Sequence, residues 1–150
     1  MRARSALLAG MLGACLTAIG GCEPDPRNDA ILFLDRVGRI DADDPIEERR
    51  RMIQSLAALP IASERVDEAR DACVAGHDKM LSAEQLQEDV RATLSRYAPT
   101  DTIADADRAT LDSQLAEART LIEQAGPLIS RCHRMTTDLE VRYRPRRGRP

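Results

Sequence analysis

Apolar and polar positions divide this 150-residue chain into one short apolar run and a long remainder with helical periodicity. After Arg2 and Arg4, the run from Ser5 to Ile19 is nearly free of polar side chains and leads to Gly20, Gly21 and Cys22. It is too short for a permanent membrane-spanning helix and has the layout of a cleaved export signal. Beyond it, Asn28 is placed to cap a first short helix carrying Ile31, Leu32, Leu34 and Val37, with Gly38 near its end. Asp44, Pro45 and Glu47 read as a capping box with proline at the first helical position. Ile46, Arg50, Ile53 and Leu56 follow at helical spacing, and Pro60 stops that second helix.

Two long helical segments come next, 63–97 and 105–141, separated by Ala98 to Ala104. The first carries the stripe Val66, Ala69, Cys73, Gly76, Met80, Ala83, Gln87, Val90, Leu94, Tyr97. The second carries Leu111, Leu115, Ala118, Ile122, Ala125, Ile129, Cys132, Thr136, Leu139. Steps of three and four alternate in both, the pattern of antiparallel helices packed along a narrow, coiled-coil-like seam. No strand-like alternation appears after the leader. The fold predicted is all-α: a long antiparallel hairpin with two short N-terminal helices, four-helix-bundle-like, with one disulfide. Gly126-Pro127 should kink the last helix. Ser82 and Gln85 resemble an internal capping box, which predicts an interruption of the third helix near Gly76 to Leu81.

Composition narrows the function. With no Trp, one Phe and two Tyr, the chain lacks the aromatic faces of a carbohydrate site, a haem pocket or a base-stacking platform. The net charge of −3 hides an uneven placement. Two arginines lie in the leader and five in the tail, at Arg142, Arg144, Arg146, Arg147 and Arg149. The body between them holds the other 15 basic residues and all 25 acidic ones, a net charge of −10.

The segment Ile19-Gly20-Gly21-Cys22 resembles the lipobox of bacterial lipoproteins, in which an aliphatic residue and two small ones precede a lipid-modified cysteine. A second match, Leu12-Gly13-Ala14-Cys15, would leave a shorter apolar stretch and strand Leu16 to Gly21 on the mature chain, so Cys22 is preferred. The resemblance implies a signal peptide at 1–21 and palmitate-type acylation of Cys22. A tether at 22–28, a helical domain at 29–141 and a basic disordered tail at 142–150 complete the division. Several acyl chains, at about 0.8 kcal/mol per buried methylene, make such anchoring effectively permanent. Glu23 after the cysteine favours the outer over the inner membrane by the same resemblance, with the domain in the periplasm.

With Cys15 removed and Cys22 acylated, Cys73 and Cys132 remain, and an oxidising envelope favours their disulfide. Both lie on the seam stripes, and their midpoint falls inside the predicted turn. The alternative groups Cys73, His77, Cys132 and His133 as soft ligands for zinc or copper, without the usual ligand spacing. The acidic clusters Asp41 to Asp44 and Asp101 to Asp107 lack the glycine and terminal glutamate of a calcium loop. No nucleophile elbow, P-loop, haem-attachment or dinucleotide motif is present. No cofactor, nucleic-acid partner or enzymatic activity is expected. The tail arginines can pair with phosphates of lipid head groups or with an acidic partner. The function expected is that of a membrane-anchored adaptor, accessory or structural subunit acting through an envelope protein or self-association. The alternative is a small-ligand or metal-binding periplasmic module.

Overall fold

A computed structural model describes residues 25–144. The leader, Cys22 and Arg146, Arg147 and Arg149 lie outside the described residues. The chain is all-helical: α1 spans Pro26–Val37, α2 Ile46–Ala57, α3 Glu64–Leu94 and α4 Asp105–Tyr143. Among the described residues there is no strand, and no helix is long and apolar enough to cross a membrane.

Local chemistry sets the helix ends, in several places differently from the sequence expectation. Asp25, not Asn28, caps α1: its carboxylate accepts from the Arg27 amide at 2.9 Å, and Pro26 supplies the preset first position. Residues 26–28, assigned to the tether, are therefore helical. The capping box at Asp44 does not form. Asp41 closes an acidic turn by accepting from the Asp43 amide, and its carbonyl accepts from the Asp44 amide. That turn leaves Pro45, which has no side-chain acceptor, as the N-cap of α2.

The two long helices are uninterrupted. In α3 the Ser82 hydroxyl donates back to the Asp78 carbonyl within the helix instead of capping a new one. Helix α4 continues through Gly126 and Pro127. At its end Arg142 is helical and bonded to Asp138, and Arg144 is bonded to Glu140, so the first two tail arginines belong to the folded body.

Helices α3 and α4 pack along most of their lengths, and their register follows the seam stripes. The Cys73–Cys132 and Gly76–Ile129 contacts share one midpoint, inside the connecting turn. There the Tyr97 hydroxyl donates to Asp107 and accepts from the Ala104 amide, tying the two helix ends together. Helix α1 packs against both long helices, whereas α2 packs on α3 and α1 and not on α4. The core gathers where α1 crosses the hairpin: Ala30, Phe33, Leu34, Leu56, Val66, Ala69, Leu139 and the disulfide. Asp29 fastens this region. Its carboxylate accepts from the Ala62 and Ser63 amides at 2.9 and 2.7 Å, satisfying donors at the start of α3 that Ser63's own side chain leaves open.

Candidate functional site

The disulfide predicted from spacing is present. Cys73 and Cys132 are buried, with an S–S distance of 2.09 Å and Cα atoms 4.7 Å apart. So close an approach of two helices requires a small residue one turn away. Gly76 provides it, since a Cβ there would lie 2.8 Å from Ile129 Cδ1 and 3.0 Å from the Ile129 amide nitrogen. Thr136, a polar residue on the apolar stripe, places its hydroxyl 3.9 Å from Cys73 Sγ. Nothing in the structure explains Gln87, the other polar residue on the stripes.

The alternative ligand set is not assembled. Both sulfurs are bonded to each other, so neither is available as a thiolate. His133 faces solvent, while His77 is half-buried one turn beyond Cys73. Among the described residues, no group of three or more His, Cys, Asp or Glu could hold a metal ion.

His77 belongs instead to a cleft that the sequence did not announce. Because α2 does not pack on α4, a half-open space of about 370 Å³ remains over the seam beyond the disulfide. Its walls are mostly apolar: Ile40, Met80, Ile122 and Ile129, with Gly126 open at one side. Arg49 and Glu84 bridge α2 to α3 at its edge through a two-pronged guanidinium–carboxylate pair. The Arg49 side chain is only 12% exposed, and its Nε is buried without a partner. The bond to Glu84 raises the Arg49 pKa, so the guanidinium stays charged. Burial, helped by the Arg49 charge, pushes the His77 pKa below its ordinary 6.5 and favours the neutral imidazole.

From this cleft an apolar stripe continues along α4 toward the turn. Ile122 and Leu115, at seven-residue spacing, are 40% and 49% exposed on α4, the long helix on which α2 does not pack. Beneath them Leu111, Ala118 and Ala125 are buried in the seam. At the opposite end, Arg65 on α3 and Arg142 both bond Asp138 on α4. Burial raises the pKa of that carboxyl, but the two arginine bonds outweigh it and hold the value below 3.8.

Comparison of the chain with protein-family models, with curated proteins and with solved structures finds no match to any of them.

Proposed function

We propose that the protein is a non-enzymatic lipoprotein of the bacterial envelope that works through protein–protein contacts, as an adaptor, accessory or structural subunit. The leader ending at Cys22 supports the location. The observation that carries the activity is the uncovered apolar stripe Leu115–Ile122 leading into the cleft at Ile129. Apolar residues at heptad spacing on a two-helix seam present the surface that a third helix completes. The disulfide joins α3 to α4 one turn beyond Ile129, at the cleft end of that surface.

Photo-cross-linking in the envelope tests this. A cross-linker in place of Leu115 or Ile122 should capture a discrete protein adduct. One in place of Glu117, on the far side of α4, should not. Absence of an adduct at both apolar positions, or equal capture at Glu117, would overturn the reading.

The cleft favours a second reading, a site for a compact apolar ligand between Met80, Ile122 and Ile129. A small molecule retained in the native mass spectrum, with no adduct from Leu115, would select it.

A further inference from the structure

We infer that the groove between α1 and α2 is a phosphate-binding site, where Arg36, Arg39 and Arg51 take a free phosphate group or the phosphate of a lipid head group. The groove shares no residue with the cleft at His77 or with the Leu115–Ile122 stripe, so it stands apart from the proposed function.

Two helical rows build it. Arg36 lies in the last turn of α1, with Arg39 three residues further on. Glu48, Met52 and Ser55 form one row of α2, with Arg51 beside it. The space between the rows is about 230 Å³ and open to solvent, room for a phosphate group.

Arg36 is the residue that calls for an anion. Its Nη1 donates to the Ser55 hydroxyl at 2.6 Å, which holds the guanidinium across the groove. Its Nε is buried and has no acceptor. Among the described residues no salt bridge reaches Arg36 or Arg51; the nearby carboxylates of Asp35 and Glu47 go to Arg39 and Arg50. A half-buried guanidinium without a counter-charge leaves its desolvation uncompensated. The helix dipole accounts for a basic residue in the last turn of α1. It accounts neither for the open Nε nor for Arg51, which lies on α2. A phosphate oxygen pair accepting from Nε and Nη2, the edge that Ser55 leaves free, supplies what is missing.

The local charge agrees. The lining holds three arginines and one carboxylate, Glu48, a net charge of +2 on an otherwise strongly acidic body. Asp35, which bonds Arg39 from outside the lining, brings this to +1. Both members of that pair are more than half exposed, so the bond is weak and Arg39 can exchange it for a ligand. Glu47 and Arg50 are paired with each other and cancel, and Asp41, Asp43 and Asp44 are outside the lining. A phosphate carries up to two charges and accepts from several guanidinium forks at once.

The Arg36 Nε–H is the probe, because a buried Nε–H exchanges slowly with water and is visible by NMR. The protein, in non-ionic detergent at neutral pH and constant ionic strength, is titrated with inorganic phosphate and separately with dihexanoyl phosphatidylglycerol. The Arg36 signal should shift and saturate with at least one of them, with a Kd on the order of 1 mM. Saturation by phosphate identifies free phosphate as the source, and saturation by the lipid alone identifies the head group. Arg51 is exposed, so R51Q should fold normally and weaken binding about tenfold. E48Q removes a repelling charge and should strengthen binding about threefold. R134Q, at an exposed position of α4, should leave it unchanged. No saturable shift with either probe up to about 10 mM would overturn the inference. So would equal weakening by R51Q and R134Q, or weaker binding in E48Q.

Discussion

Replacing Gly76 with alanine sets two effects of opposite sign against each other. Glycine inside a helix is worse than alanine by about 1 kcal/mol, so propensity alone favours the change in α3. The new Cβ, however, would meet Ile129 at 2.8 Å on Cδ1, 3.1 Å on Cγ1 and 3.0 Å on its amide nitrogen. The side chain can rotate aside, but the nitrogen is backbone and moves only with α4. Cys132, three residues further on, holds α4 to α3 through the disulfide. Overpacking of this kind costs about 1–3 kcal/mol, so the expected net loss is about 1 kcal/mol.

Gly126 is the internal control. A Cβ there meets nothing within 4 Å. Its propensity gain is offset by crowding from the ring of Pro127, which disfavours helical geometry in a preceding residue that carries a Cβ. Gly126→Ala should stay within about 0.5 kcal/mol of the parent, as exposed substitutions generally do. Urea unfolding of the oxidised protein, followed by far-UV circular dichroism, reads both variants. Adding Ile129→Val to Gly76→Ala removes the 2.8 Å contact but not the 3.0 Å one, so a double-mutant cycle should show partial recovery. A Gly76→Ala protein as stable as the parent would refute the close-packed seam.

Three further outcomes follow from named contacts. Replacing Cys73 and Cys132 together by serine opens a 59-residue loop and should cost up to about 4 kcal/mol on the chain-entropy model, visible as a lower urea midpoint. Asp29→Ala removes the acceptor for the Ala62 and Ser63 amides and should cost about 1 kcal/mol, with Asp29→Asn costing less; equal stability in all three proteins would argue against this cap. His77 should titrate below 6.5 by NMR. Its folded pKa is depressed, so its contribution to stability is intact above 6.5 and is lost as pH falls from there through the folded value. His77→Gln should remove that part of the acid dependence, and a His77 midpoint above 6.5 would contradict its burial.

The long helices were legible because their stripes run for about eight turns each, and the short turn between them sets one antiparallel register. The disulfide was legible for a related reason: a hairpin converts sequence distance from the turn into spatial level, and both cysteines sat on the seam. Helix starts were harder. Asp44-Pro45-Glu47 has the residues of a capping box, yet the turn at Asp41 takes Asp44 out of position. Asp29 caps α3 from more than 30 residues away, and no local pattern marks a long-range cap. Pairing His77 and His133 with the cysteines used level alone, and level says nothing about direction around a helix. His133 therefore faces water while His77 enters a cleft. The cleft itself arises from which neighbours α2 packs on. The Arg49–Glu84 bridge to α3 is part of that choice, and neither residue carries a signal for it in the sequence.

We propose that the disulfide-stapled helical hairpin is carried on an acylated Cys22. Intact mass of the protein isolated from a bacterial envelope, native and then denatured with thiol blocking, tests it most directly. The expected result is a triacylated chain beginning at Cys22, with Cys73 and Cys132 inaccessible to the blocking reagent until reduced. A chain that keeps its leader, begins elsewhere, or exposes both thiols without reduction would contradict it.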